Sequence, residues 1–281
     1  MDPLVLGLVL AAAIMHAGWN TLIKSGGAPL IRLAITNGFA ALVMLPVGLF
    51  VGFPDAASWP FLIASMFVHL FYYLLLASGY RVADLSLLYP IARGSAPPLV
   101  ALGAFIFAGE QLSALGIASI GLISLAIGLM AYRIPHGNGG IRSVLLALFI
   151  GVLIASYTVM DGMGARLTDH TIAYIAWMFV LDGLLLTLWV LARHGRAVPE
   201  FVKLHWLQGV ASGVMYTASY GFVVWAMSVT PMTYVSALRE TSVIVAAFLG
   251  TRLLKEPLGG RRIFSACLVA AGVVILQFSH K

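Results

Sequence analysis

The sequence predicts an all-α integral membrane protein in which ten transmembrane helices form two inverted five-helix repeats. Three observations predict it: a scarcity of charge, the number and length of the apolar runs, and a pair of charged residues that recurs at half the chain's length. Only 9% of the 281 residues are charged, while 61% are hydrophobic; soluble domains carry ~25% charged residues. So few Asp, Glu, Lys and Arg cannot cover a surface of this size in water, and hydrocarbon must take water's place.

Apolar stretches of about 20 residues, enough to cross a ~30 Å hydrocarbon core, occupy 3–23, 30–52, 59–80, 85–108, 113–132, 142–161, 171–192, 204–227, 232–254 and 261–279. The first follows Met1-Asp2-Pro3 without a basic lead and carries His16, Trp19, Asn20 and Lys24 where a cleavage signal would need small residues, so it reads as a retained helix. Ser25-Gly26-Gly27 closes the first run and Phe53-Pro54-Asp55 the second. Arg133 to Gly140 divides the chain into 1–138 and 139–281, Arg193 to Pro199 follows the seventh run, and Glu256-Pro257-Leu258-Gly259-Gly260 precedes the tenth. No connection is long enough for a soluble domain. A barrel would need alternating segments of ~10 residues, and these runs are continuous and twice that length.

The net charge is +6, but no basic face with interleaved polar residues exists to bind nucleic acid. The cations sit between the runs instead. Odd-numbered connections hold Lys24, Arg32, Arg81, Arg133, Arg142, Arg193, Arg196, Lys203, Arg252, Lys255, Arg261 and Arg262, whereas the even connections and both ends hold Arg166 and Lys281. The positive-inside rule then puts the odd loops in the cytoplasm and both termini outside, in a cell inner (plasma) membrane. A single cysteine, Cys267, excludes an intrachain disulfide and a cysteine metal site, and no cofactor is expected.

Arg93 and Arg239 are 146 positions apart, as are Glu110 and Glu256. In each half an Arg lies inside an apolar helix, a Glu follows at its far end, and another apolar helix comes next. Five spans per half is odd, so the second half must cross the membrane upside down. Charge agrees independently: Gly94 to Tyr132 holds no Lys or Arg, while the equivalent junction of the second half carries Arg252, Lys255, Arg261 and Arg262.

Phe107-Ala108-Gly109-Glu110, Leu254-Lys255-Glu256-Pro257, the Gly18-Trp19-Asn20 element and the five-plus-five repeat together resemble the drug/metabolite transporter superfamily, in particular its EamA-type ten-helix permeases, over essentially the whole chain. The resemblance implies alternating access around a central cavity lined by the first four helices of each half, with the fifth and tenth packed outside. The two buried arginines depart from that family's general pattern, so the resemblance does not name a substrate.

Arg93 and Arg239 sit about eight residues, roughly 12 Å, into their helices, where facing lipid would cost several kcal/mol. They face inward, either offering bidentate guanidiniums to a carboxylate, phosphate or phosphonate or pairing with Glu240 or Asp182. Tyr89 shares a helix face with Arg93. His16 and Asn20, four apart with Trp19 beside them, place hydrogen-bonding groups at mid-depth, as ligand contacts or as interhelical links. His69 with Tyr72 and Tyr73, and Tyr216 with Tyr220, are further substrate-binding candidates. Asp182, Asp161 and Glu240 are candidate proton sites or ion-pair partners, with Asp161 near the end of its helix and at a different depth from Asp182. Glu110 and Glu256, at helix ends, are expected to cap neighbouring helices or pair at a gate.

The expected activity is secondary export or exchange of a small anionic or zwitterionic metabolite such as an amino acid, carboxylate or phosphonate. No nucleotide-binding Gly-x-x-x-x-Gly-Lys-Ser/Thr loop is present to use ATP. A proton is the candidate coupling ion, membrane lipid the surrounding partner, and a monomer or weak dimer the expected state. The alternatives are an intramembrane enzyme of aspartyl type, built on Asp161 and Asp182, and a lipid-type carrier. No Gly-x-Gly-Asp, His-Glu-x-x-His or Gly-x-Ser-x-Gly signature supports an enzyme.

Overall fold

The structure, a computed structural model, describes residues 2–24, 28–82, 85–131, 140–245, 248 and 260–279. Its helices are α1 Pro3–Lys24, α2 Pro29–Val51, α3 Trp59–Val82, α4 Leu85–Ala108, α5 Ala114–Ala131, α6 Gly140–Arg166, α7 Thr171–His194, α8 Ala197–Val229, α9 Met232–Arg239 and α10 Gly260–Phe278. A short 3-10 turn, Ala56–Ser58, leads into α3. No strand occurs among the described residues. Seven helices are long and apolar enough to cross a membrane, and residues 114–129 and 263–276 form shorter apolar helices. With α9, this gives the ten helices that the run count predicts.

Three boundaries differ from the sequence expectation, each for a local reason. Helix α8 begins at Ala197, because Pro199 falls in its first turn, where a missing N–H breaks no bond. It kinks at His205 (φ −126°, ψ 17°), at the edge of the apolar run. Helix α6 continues to Arg166, past the expected end at 161, and so carries Asp161 more than a turn inside its C-terminus.

The third difference is a break in the ninth span, which does not continue as one helix to 254. Its helix stops at Arg239, where the Glu240 N–H donates to the carbonyls of Ala237 and Leu238. The Thr241 hydroxyl donates to the Leu238 carbonyl at 2.8 Å, competing with the helical ladder. Helical backbone resumes over 242–245. Irregular backbone at membrane depth is tolerated inside protein, and transporters place binding sites at such breaks.

Helix α2 packs along α7, α1 along α8, α3 along α6, and α4 against α6, α5 and α9. Helices α5 and α10 pack on one another, joined by α9, in a second apolar cluster that includes Ile123, Ile127 and Val269. Lipid tails are as apolar as leucine, so close packing has to hold the helices together. Small residues allow it. A Cβ at Gly183 of α7 would run into the Asn37 carbonyl of α2, and one at Gly213 of α8 would sit 2.8 Å from the Phe39 Cβ.

The polarity of the molecule is inside out. Phe50, Leu125 and Leu188 are 91%, 70% and 62% exposed, whereas His69, Arg93, Asp161, Asp182, Arg239 and Glu240 are all at most 5% exposed. A bilayer around the outer face and a polar centre within satisfy both sets.

Candidate functional site

Helix α3 carries Ser65, His69 and Tyr73 at four-residue spacing, so all three lie on the stripe it turns toward α6, α7 and α8. His69 stands between two carboxylates. Its Nδ1 is 2.8 Å from Asp182 Oδ2 and its Nε2 is 3.8 Å from Asp161 Oδ2. The expectation that the two aspartates lie at different depths is therefore corrected: the five further residues of α6 bring Asp161 to the level of Asp182, and one imidazole reaches both.

The two acids are held differently. Asp161 accepts hydrogen bonds from Tyr220 Oη at 2.6 Å and from Tyr174 Oη at 3.2 Å. Gly164 makes the second possible, since a Cβ there would meet the Tyr174 ring at 2.5 Å. Asp182 Oδ2 stands 2.8 Å from His69 Nδ1, and neither of its oxygens accepts an aligned hydrogen bond among the described residues.

Aromatic rings wall this centre. Tyr157 lies 4.2 Å from the His69 ring, 5.6 Å from Tyr72 and 5.8 Å from Tyr220, centroid to centroid. Tyr73 and Tyr216 share a hydroxyl–hydroxyl hydrogen bond of 2.6 Å. Trp19 packs edge-on to His16 at 5.1 Å and to Tyr216 at 5.3 Å, and its buried Nε1 finds no acceptor among the described residues. Tyr157 and Tyr174 escaped the sequence reading. Tyr157 was within reach of it, lying four residues before Asp161 on the same helical face.

The two arginines have unequal surroundings. Arg93 Nη2 pairs with Glu240 Oε1 at 2.9 Å, joining α4 to the break in α9. Successive helical residues point ~100° apart, which lets Glu240 meet α4 while Arg239 turns elsewhere. The Arg239 guanidinium lies 5.1 Å over the Tyr220 ring, and no ion pair joins it to a carboxylate among the described residues. His16 is within electrostatic range of both arginines. Asn20 donates to the His16 carbonyl of its own helix at 2.8 Å, so this bond links no second helix. The side chain of Tyr89 and the whole of Glu256 lie outside the described residues.

Glu110 caps a helix and closes one face. Its Oε1 accepts from the Met232 N–H at 2.7 Å and from Arg166 Nη2 at 2.7 Å, and its Oε2 from the Thr233 N–H at 3.2 Å and hydroxyl at 3.0 Å. Those N–H groups are the first two of α9, the positive end of that helix. Arg166 in turn donates to the carbonyls of Met227 and Thr230 at the end of α8. Glu110→Ala leaves four donors without their acceptor and is expected to lower unfolding stability in detergent by ~2–3 kcal/mol, read as a fall in melting temperature. No fall would show that the bonds are made equally well to water.

Asp55 ties a second pair of loops on that face, accepting from the Asp169 N–H at 3.1 Å. The Thr168 hydroxyl and the Asp169 N–H hold its carboxyl below the ordinary carboxylate range. A depressed folded-state value means that the link is fully present above pH ~4 and is lost as pH falls through the lowered value. It stays fastened at neutral pH.

Comparison with known proteins bears on the fold and the family. No curated protein matches the sequence. A solved crystal structure is 17% identical with a TM-score of 0.77, the match covering 99% of this chain and 96% of that one, a likeness of fold. The profile of the EamA-like transporter family matches residues 141–278. Residues 141–278 of this multi-pass membrane chain thus carry a domain of the EamA-like transporter family.

Proposed function

We propose that the chain is a secondary transporter, an exporter or exchanger, of a small carboxylate-bearing metabolite, and that the metabolite's carboxylate docks on Arg239. One observation carries this reading: a guanidinium that is 5% exposed at the centre of the bundle has no carboxylate partner among the described residues. A buried charge is stable only when paired, and a mobile anion supplies the pair. Arg93 offers less, because Glu240 already neutralises it.

The substrate class that fits best is a zwitterion of α-amino-acid size. Tyr220 holds Arg239 over its ring and Asp161 at its hydroxyl, so a cation and a carboxylate adjoin one side chain. An α-amino acid carries the complementary pair, an ammonium and a carboxylate on one carbon atom, each able to hydrogen-bond at ~2.8 Å. The rings of Tyr72 and Tyr157 offer faces to the ammonium.

Movement by alternating access between inverted halves, 1–138 and 139–281, is the mechanism we infer. Exchanging the halves turns the α1–α8 contact into α6–α3, and both contacts are made. The cation bias of the odd connections supports a cytoplasmic position for them, with the Glu110 face outside, in an inner membrane. A lipid-type carrier needs an apolar groove where this bundle buries charge. An aspartyl enzyme needs two carboxyls ~3 Å apart sharing a proton, and here an imidazole separates them.

The test is counterflow in proteoliposomes with labelled amino acids, dicarboxylates, phosphonates and organic cations. Amino acids, then other carboxylates, are expected to exchange. Exchange of cations alone would overturn the assignment of Arg239.

A further inference from the structure

We propose that His69, clamped between Asp161 and Asp182, is the site of an exchangeable proton that drives this transporter. The proposal rests on the transporter reading and adds to it the driving ion, its residues and its link to the substrate.

The geometry is that of a proton site. Three titratable groups stand in line across α6, α3 and α7: Asp161, His69 and Asp182, with 3.8 Å and 2.8 Å between them. All are at most 3% exposed. Asp161 is fixed by two tyrosine hydroxyls, whereas Asp182 accepts no aligned hydrogen bond among the described residues. A buried carboxylate without an aligned donor is unsatisfied unless it shares a proton, and His69 Nδ1, 2.8 Å away, is placed to share one. A metal cation fits poorly, because it asks for several oxygens converging on one point and an imidazole occupies the space between the carboxylates.

Charge counting ties the proton to the substrate. Arg93 and Glu240 cancel. With His69 protonated and both aspartates ionised the triad carries one negative charge, which Arg239 balances across Tyr220. A substrate whose carboxylate docks on Arg239 brings its ammonium to Asp161, where it takes the place of the triad's positive charge, so the proton leaves as substrate binds. When the substrate leaves, the carboxylates take the proton back, which is the alternation an exporter or exchanger needs. Tyr220 is the shared element, touching the triad through its hydroxyl and Arg239 through its ring.

The other groups facing the triad come from every helix packed on it. Ser65, Tyr72 and Tyr73 stand beside His69 on α3, and Tyr157 lies on α6. Tyr174 comes from α7, and Tyr216 and Tyr220 come from α8. Arg239 on α9 is the cation within electrostatic range of His69, while Arg93, Glu240 and His16 form the next ring outward.

Two measurements test the proposal separately from the substrate assignment. In the first, full-length protein carrying imidazole-labelled histidine is titrated by nitrogen NMR without substrate, with the His69 signal assigned by its loss in His69→Gln. A titration between pH 5 and 9 that moves by at least one pH unit in Asp182→Asn is expected. A His69 signal unchanged from pH 4 to 10 overturns the proposal whatever the protein carries.

In the second, proteoliposomes are given an equimolar mixture of the twenty amino acids. Wild type is expected to accumulate label under an imposed pH gradient, and Asp182→Asn to lose that gradient-driven accumulation at least tenfold. Accumulation driven by sodium instead, or an Asp182→Asn variant that responds to the pH gradient as wild type does, overturns the proton site. Should wild type move none of the mixture, the substrate reading fails and the titration alone decides.

Discussion

Arg239→Gln is expected to cut counterflow of carboxylate substrates by roughly 100-fold while leaving the protein at least as stable as wild type. The two halves of that expectation have one cause. A guanidinium that docks a carboxylate makes two charge-assisted hydrogen bonds, each worth ~1.5–3 kcal/mol, and ~3 kcal/mol is about two powers of ten in affinity. Without substrate the same group is a cation at 5% exposure that no carboxylate neutralises among the described residues, held by the face of Tyr220. Removing the buried cation relieves its desolvation cost, and the triad that it balanced regains neutrality by taking up one proton, so stability is not lost. Arg239→Lys keeps the charge but loses the planar fork and is expected to recover about a tenth of the exchange. Concentration-dependent counterflow and a melting curve in detergent read both quantities. A steep loss of stability in Arg239→Gln, or unchanged exchange, would sink the docking role.

The architecture was legible because the bilayer imposes a length on every apolar run, and ten runs of that length fit no other fold class. Helix ends were less legible. Pro199 reads as punctuation in the sequence, yet in a first helical turn it costs nothing, so α8 starts two residues before it. The break after Arg239 leaves no proline or glycine to mark it; a threonine hydroxyl competing for one carbonyl makes it. The site was legible as a set of rare intramembrane charges and not as a set of partners. His69, Asp161 and Asp182 could each be singled out for polarity inside an apolar run. That one imidazole joins both acids depends on how far α6 extends and on which faces α3, α6 and α7 present, neither of which local spacing determines. The unequal fate of the two arginines has the same origin, since their symmetric positions in the sequence conceal a Glu at 240 and a Gly at 94. Gly94 instead packs its bare Cα against Ile127 of α5.

That inequality makes the Arg93–Glu240 pair the place where loss of one group should do most damage to the fold. Glu240→Gln leaves Arg93 charged at 4% exposure, and breaking a buried pair by removing one partner costs ~3–5 kcal/mol. For a chain of this size that is a fall of roughly 10 °C in melting temperature. Arg93→Gln leaves the carboxylate behind; it can take up a proton, so the loss there is expected to be smaller. The double variant Arg93→Met/Glu240→Leu removes both charges and keeps the volume, and is expected to return to within ~1 kcal/mol of wild type, since apolar replacement of a buried pair is often neutral. Stability recovered in the double variant identifies the pair as a clasp between α4 and the broken α9. Exchange then reports what the clasp aims: Arg239 is the last residue of α9, directly before Glu240, and without a fixed Glu240 its guanidinium loses a defined direction. The double variant is therefore expected to fold like wild type and to exchange substrate about tenfold less well. Single variants as stable as wild type would mean that the pair is not formed in the membrane, and a double variant that exchanges like wild type would separate the clasp from the docking arginine beside it.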